Sequence, residues 1–380
     1  MRFRRTRRVL AVLAILFVVW ILILIRSTEW LASLGGRVEG ARLVRAQSSP
    51  QWSGEGFRNR EKRTGAAPSN REMFRRQFFG DEQRQPIGPV PIVRRTARDY
   101  DTPPASGLRA TWIGWATVLL EIDGARVLTD PIWSERCSPS TLVGPKRFHP
   151  PPIALDDLPP IDVVVISHDH YDHLDMPTVR TLASRGTRFV VPLGIGAHLE
   201  RWGIGAPQIF ELDWNATIQL AGVDFTATPS RHYSGRAPRR ANRTLWASWV
   251  MKTAAHRVFF SGDSGYTGAF REIGAAHGPF DLTLIKIGAS DPTWIDIHMS
   301  PEQAIDTHRD LRGKLMIPIH WATFNLGFHA WREPPDRALA AAAKAGVTLV
   351  IPRPGELVEP AAARPPQVAW WSLAPRAASR

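Results

Sequence analysis

Within this 380-residue chain, the stretch that most restricts the fold is Val163-Val164-Val165-Ile166-Ser167 followed at once by His168-Asp169-His170-Tyr171-Asp172-His173. The first five residues read as a buried strand, because a continuous β-branched apolar run suits a strand covered on both faces. The imidazoles of His168, His170 and His173 and the carboxylate of Asp172, four of these six residues, then leave that strand in a tight loop, which can aim them all at one point. Imidazole nitrogens and carboxylate oxygens are a donor set suited to zinc. Such a loop needs other strand ends beside it to complete the ligand set.

The later sequence offers them. His232 follows an apolar run at 225–228, Asp263 follows 258–260 and His320 closes 316–319. Short apolar, β-branched runs predict strands at 110–113, 117–122, 126–129, 162–167, 188–191, 223–228, 245–252, 257–261, 282–287, 315–319 and 348–351. Helical stretches fall at 176–184, 196–202, 267–276, 301–311 and 336–345, and Ser300-Pro301-Glu302-Gln303 carries a helix start with proline at the first position. Hairpin-like pairs open each half and strand–helix alternation follows. That order predicts an α/β (α+β) domain of two packed sheets with helices outside.

The +13 formal charge invites a nucleic-acid reading, but its distribution removes it. Residues 1–100 hold 20 Lys+Arg against 8 Asp+Glu, which leaves 28 against 27 for the remaining 280 residues. A near-neutral body has no basic face for phosphate backbones, so no nucleic-acid partner is expected. The single cysteine, Cys137, forms no intrachain disulfide and reads as structural.

The basic excess begins with Arg2, Arg4, Arg5, Arg7 and Arg8, ahead of an apolar run of 17 residues at 9–25. As a helix this run spans about 25 Å, enough for a thin hydrocarbon core. No small-residue cleavage site follows it, so residues 1–26 read as a basic region and uncleaved transmembrane anchor. The arginine cluster puts the N-terminus in the cytoplasm and the catalytic domain on the non-cytoplasmic, periplasmic side. Residues 27–105 read as a polar connector, in which 71–79 forms a short helix; residues 358–380 read as a tail.

The chain resembles the metallo-β-lactamase superfamily, whose signature is the His-x-His-x-Asp-His loop, and within it the N-acyl-phosphatidylethanolamine-hydrolysing phospholipase D group. Supporting stretches include Leu128-Thr129-Asp130-Pro131-Ile132, Gly144-Pro145-Lys146-Arg147-Phe148, Gly262-Asp263-Ser264-Gly265-Tyr266 and Ile319-His320-Trp321-Ala322-Thr323-Phe324. The likeness runs over 106–357. It implies a four-layer αββα sandwich holding two zinc ions, one by His168, His170 and His232, the other by Asp172, His173 and His320, with Asp263 bridging. Asp130 matches an acid that orients a ligand imidazole. At Trp115 the family commonly has His, a departure that touches substrate contacts rather than metals. His170 in place of Glu speaks for zinc over iron, and Asp263 in place of Cys speaks against a β-lactamase.

The resemblance implies a phosphodiesterase of phospholipase D type on N-acylated membrane phospholipids, using a hydroxide held between two metals. Asp172 is the expected proton acceptor, and His298 is expected to bind phosphate or protonate the leaving oxygen. Trp246, Trp249, Trp294, Trp321 and Trp331 lie in site-forming segments and are candidates for an acyl groove or a membrane interface. A same-fold hydrolase of another ester, lactone or phosphodiester is the alternative; a membrane-tethered binding protein with an idle metal site is the third reading.

Overall fold

A computed structural model of the chain describes residues 10, 12–17, 19–21, 28–64, 69–237, 241–362 and 369–373. Residues 10, 12–17 and 19–21 are helical, and from residue 28 to the first large sheet come helices α1 (Thr28–Ser33), α2 (Gly40–Ser48) and α3 (Asn70–Phe79) and a small hairpin of β1 (Trp52–Ser53) and β2 (Gly56–Phe57). The first large sheet is built from β3 (Leu108–Gly114), β4 (Thr117–Ile122), β5 (Ala125–Thr129), β6 (Val163–Val165), β7 (Arg188–Pro192) and β8 (Ile209–Leu212). The second comprises β9 (Thr217–Leu220), β10 (Val223–Thr228), β11 (Ser248–Lys252), β12 (Arg257–Phe260), β13 (Phe280–Lys286) and β14 (Gly313–Ile319). A final strand, β15 (Leu357–Val358), returns to pair with β3, giving orders β15-β3-β4-β5-β6-β7-β8 and β14-β13-β12-β11-β10-β9.

Side-chain alternation explains how the layers stack. In β4, Val118, Leu120 and Ile122 join the core between the sheets, while Leu119 points into a separate outer core. In β6, Val163 and Val165 face inward and Val164 outward. That outer core also holds Val179 and Leu182 of α4 (Met176–Ser184) and Leu199 of α5 (Gly196–Arg201). Phe270 of α6 (Ala269–His277) and Ile305 of α7 (Pro301–Asp310) cover the second sheet. The result is a mixed α/β sandwich, two sheets between helices, as the order of runs predicts. Each sheet starts antiparallel and continues parallel, through β5-β6-β7-β8 and β12-β13-β14. Parallel strands end on the same side, so the loops after β5, β6 and β12 to β14 share one rim.

Four features differ from expectation. Residues 348–351 make no strand; Leu349 forms one isolated bridge to Met316, and Pro352 next in line has no N–H to continue a ladder. The short edge strands β8 and β9, half-exposed and mixed in character, carry too little apolar pattern to be predicted. The described parts of 28–105 are packed on the body rather than strung between domains. They are held by arginines and amides more than by apolar periods: Arg42 bonds Glu200, Arg76 bonds Asp291 and Arg95 bonds the Gly355 carbonyl. The expected tail docks too, with Trp370 and Trp371 bonded to the Ile351 carbonyl and Asp336 and packed on Trp321. The long helix before it, α8 (Glu333–Ala345), ends on Gly346 in the left-handed conformation.

Among the described residues no helix is long and apolar enough to cross a membrane. The anchor expected at 9–25 lies partly outside the described residues, which there are 10, 12–17 and 19–21.

Candidate metal centre

The loop after β6 begins with Ser167, whose N–H donates to Asp130 Oδ1 (2.7 Å) and whose hydroxyl reaches Asp130 Oδ2 (2.5 Å). Asp130, just past β5, is fully buried and takes a positive φ of 33°. Its Oδ2 also accepts from His173 Nδ1 at 2.6 Å, which turns the other ring nitrogen, Nε2, inward. His232 is set the same way. Its Nδ1 faces the Ile297 carbonyl at 3.0 Å, and since a carbonyl only accepts, that nitrogen carries the proton and Nε2 is a free lone pair. Gly262, at φ 52°, lets the chain before Asp263 pass close to the first sheet; a Cβ there would stand 2.3 Å from Ser167 Cβ.

The seven side chains singled out in the sequence converge. Ligand-type atoms of His168, His170 and His232 lie within 4.8 Å of one another, and so do those of Asp172, His173, Asp263 and His320. His170 Nδ1 is 2.8 Å from His168 Nε2 and 3.3 Å from His232 Nε2. His320 Nε2 is 3.1 Å from Asp263 Oδ1 and 3.5 Å from Asp172 Oδ2. Asp263 Oδ2 is 3.4 Å from His173 Nε2 and 3.8 Å from His232 Nε2, which places this carboxylate between the two groups. Donor atoms about a tetrahedral zinc with bonds of about 2.0–2.1 Å sit roughly 3.3 Å apart, so these spacings fit two adjacent cations. The polar accounting agrees: His173 Nε2, His320 Nε2 and Asp263 Oδ1 are buried without a hydrogen-bond partner, a cost that a bound cation removes.

Electrostatics follows from the crowding. Burial would raise the Asp172 and Asp263 carboxyls, but the imidazoles of His173 and His320 hold both well below the usual carboxylate range. Burial, with its neighbouring imidazoles, pushes His168 down, and burial pushes His232 to about 3. His168 and His232 thus stay neutral and Asp172 and Asp263 ionised, the states that coordinate metal. At His173, by contrast, burial is outweighed by the carboxylates of Asp263, Asp172 and Asp130, which push the imidazole well above its ordinary value, so a bound cation would have to displace that proton. Asp172, the expected proton acceptor, stands with Oδ2 3.2 Å from His173 Nε2. His298 lines the open side, its Nε2 3.8 Å from Asp263 Oδ2 and its Nδ1 buried without a partner. Burial and the neighbouring Lys286 ammonium keep it neutral.

Several residues that hold this arrangement carry no signal in the sequence alone. Trp115, noted only as a departure, donates its indole N–H to Asp172 Oδ2 at 2.9 Å and lies 3.9 Å from the His320 ring. Its backbone carbonyl accepts from His320 N at 2.8 Å. Trp115, Asp130, His320 and Ala322 all have positive φ, so strained backbone gathers around the centre. Asn59, far upstream, clamps His232 from both sides: its amide donates to the His232 carbonyl (2.8 Å) and its oxygen accepts from His232 N (3.0 Å) and from Trp246 Nε1 (3.0 Å). Asp169 ligates nothing in these groups; it ties the loop to Gly235 N, Thr244 and His198. Lys286 is fully buried, bonded to the Gly288 carbonyl, with its ammonium lowered to about 7 by burial.

A cleft of about 750 Å³ opens onto His232 and His298. Met73, Trp294, Ile297, Leu326 and Phe328 give it apolar walls, and Arg63 and Arg231 supply positive charge. Arg231 is neutralised by Asp296 at 2.8 Å, whereas Arg63 has no carboxylate partner among the described residues. Of the five tryptophans expected near an acyl groove, only Trp294 lines this cleft. Trp246, Trp249, Trp321 and Trp331 are buried in the core; the indoles of Trp246, Trp249 and Trp321 bond to main-chain carbonyls.

Comparison with known proteins agrees with this architecture. Residues 125–321 match the family described as beta-lactamase superfamily domain. The chain is 45% identical over 363 residues to an uncharacterized protein of Mycobacterium tuberculosis, covering 93% of this chain and 95% of that one. It is 38% identical over 261 residues to N-acyl-phosphatidylethanolamine-hydrolyzing phospholipase D 1 of Caenorhabditis elegans, covering 65% of this chain and 73% of the relative. Among solved structures, a metallo hydrolase of the archaeon Ignicoccus hospitalis aligns with a TM-score of 0.51 at 21% identity, over 66% of this chain and 97% of that one.

Proposed function

The chain belongs to the metallo-β-lactamase superfamily, near the N-acyl-phosphatidylethanolamine-hydrolysing phospholipases D, and from that premise we propose that it cleaves the headgroup phosphodiester of N-acylated or related membrane phospholipids. It is a metal-dependent hydrolase; two zinc ions, the phospholipid and a membrane location are the proposal. The observation that carries it is the cleft itself. Its volume lies in the range of sites that enclose a lipid-like or drug-sized molecule, its walls are apolar, and it ends on His232 and His298 beside the paired donor groups.

When bound, two adjacent divalent cations lower the pKa of water toward 7 and stabilise charge that develops on the phosphate oxygens. The chain supplies the rest. His168, His170 and His232 form one holding group and Asp172, His173 and His320 the other, with Asp263 shared. Asp130 and the Ile297 carbonyl fix ring orientation at His173 and His232. Arg63 meets the non-bridging phosphate oxygens from the cleft wall. In the net reaction a water oxygen bonds to phosphorus, the bond from phosphorus to the headgroup alcohol breaks, and that alcohol takes up a proton. The products are a phosphatidic acid and an N-acylethanolamine. His298, neutral and at the open side, is placed to donate an N–H hydrogen bond to a phosphate oxygen, while the proton that the leaving alcohol takes up comes from the attacking water.

The apolar run at 9–25 supports a membrane anchor. Leu13, Ile15, Leu16 and Phe17 are helical and more than half exposed, with no covering surface among the described residues. The flanking arginines favour a cytoplasmic N-terminus and a periplasmic catalytic domain. C-terminal reporter fusions test this: activity of a periplasm-dependent reporter is expected, and a reporter active only in the cytoplasm refutes the orientation. The substrate reading is tested by assaying zinc-loaded protein on N-acyl-phosphatidylethanolamine, other phospholipids, soluble phosphodiesters and lactones. Headgroup release from the N-acylated lipid, abolished in His168→Ala, is expected. Turnover confined to lactones or carboxylic esters refutes it.

A further inference from the structure

Helix α3 is anchored at one edge and, among the described residues, bare elsewhere. Ser69 caps it by accepting from Glu72 N at 3.2 Å. Arg76 pins it to the body, bonding Asp291 at 2.5 Å with its guanidinium carbon 4.7 Å from the centre of the Phe328 ring. Met73 and Gln77 line the cleft. On the remaining surface Phe74, Phe78 and Phe79 are 59%, 66% and 73% exposed. They are not scattered: the Phe74 ring lies 4.7 Å from that of Phe78 and 6.4 Å from that of Phe79. Single exposed apolar residues are ordinary, but a contiguous aromatic cluster marks a contact surface. Arg71 and Arg75 on the same helix are exposed and have no carboxylate partner among the described residues, while Glu72 sits in the first turn, where it complements the helix N-terminus.

We propose that α3 docks on an anionic phospholipid bilayer, with Phe74, Phe78 and Phe79 entering the boundary between headgroups and acyl chains and Arg71 and Arg75 meeting lipid phosphates. Helices that lie in this boundary combine aromatic insertion with basic flanks in the same way. The proposal rests on reading the adjacent cleft as a lipid site and names the surface from which the lipid arrives. Two further observations select a bilayer as the occupant. Exposed apolar side chains also stand on other segments at the cleft: Leu326, and Leu142 and Val143 just before Pro145. The apolar surface thus spreads around an opening, and a bilayer against it keeps substrate supply open where a second copy would close it. The unpaired cations on α3 also belong to the strongly basic first hundred residues, which complements an anionic lipid face.

The test uses the full chain reconstituted in phosphatidylcholine vesicles with and without phosphatidylglycerol. An environment-sensitive fluorophore is placed at Phe78→Cys, with Lys344→Cys on α8 as the comparison site. With phosphatidylglycerol present, the label at 78 is expected to shift to the blue and be quenched by spin-labelled lipid, and the label at 344 is not. Phe78→Ser combined with Phe79→Ser is expected to cut turnover of bilayer phospholipid at least tenfold, with metal content and turnover of a soluble phosphodiester unchanged. Water-like emission at 78 in every vesicle overturns the proposal. So does equal immersion in pure phosphatidylcholine, or shielding that appears without lipid as the mass doubles, which assigns the face to a second copy. Immersion without turnover of any phosphodiester supports the docking helix and instead refutes the substrate reading.

Discussion

Replacing Trp115 by phenylalanine keeps an aromatic ring against His320 and removes one hydrogen bond, the indole N–H donated to Asp172 Oδ2 at 2.9 Å. Trp115 is buried and its main chain is held independently, by Thr323 Oγ1 on its N–H and by His320 N on its carbonyl, so the loop has reason to stay in place. A hydrogen bond to a charged group contributes about 1.5–3 kcal/mol. At roughly 1.4 kcal/mol per factor of ten, its loss weakens cation binding by about one to two orders of magnitude, which is also the usual cost of losing a partner that orients a ligand. The loss falls on one group only. Asp172 belongs with His173, Asp263 and His320, whereas His168, His170 and His232 do not touch the indole. Competition with a chelator, resolving a tighter and a weaker site, is expected to show one site weakened about 10–100-fold and the other unmoved. Unchanged affinity at both sites would refute the positioning role of Trp115, and so would equal weakening of both in a protein that keeps its thermal stability.

Asn59→Ala removes both main-chain bonds to His232 and orphans one partner of the Trp246 indole. It is expected to weaken the other site, that of His168, His170 and His232, by about tenfold or more; an effect confined to the Asp172 site contradicts the clamp. Arg63→Ala is expected to raise KM for a phosphodiester by about 10–100-fold with kcat nearly kept, as for a lost charge-assisted contact; an unchanged KM removes Arg63 from the phosphate. His149 gives a pH prediction. Burial and then the Arg147 cation push its imidazole down to about 3, so the fold binds its neutral form. Its contribution is complete above the unfolded value near 6.5 and is lost as pH falls toward 3. Between pH 7.5 and 5 the metal-free protein is expected to lose about 2 kcal/mol more than His149→Gln does, measured by denaturant unfolding; parallel losses in the two proteins contradict it.

What the sequence reveals of this molecule depends on how local the physics is. The strand at 163–165 and the loop after it are readable because burial on both faces and a dense ligand run are properties of neighbouring residues. His232, Asp263 and His320 are readable because each follows an apolar run, and parallel strands must end together. The positions of Asn59 and Trp115 are not readable that way, since an amide 173 residues from its partner leaves no local trace. The same holds for 28–105: side chains such as Arg42, Arg76 and Arg95 dock it by reaching carboxylates and carbonyls, and an arginine that docks has the same sequence signature as one in solvent. Tryptophan abundance misleads for a related reason. Indoles such as those of Trp249 and Trp321 satisfy buried carbonyls of the core, so only Trp294 reaches the cleft.

The most direct test of the account is a metal titration of chelator-stripped protein with phosphodiester turnover and bound zinc followed together. Turnover returning as bound zinc approaches two per chain, with His168→Ala and His320→Ala each losing one equivalent, is the predicted result. Full turnover in stripped protein, or a maximum reached with a single ion per chain, would contradict the paired metal centre.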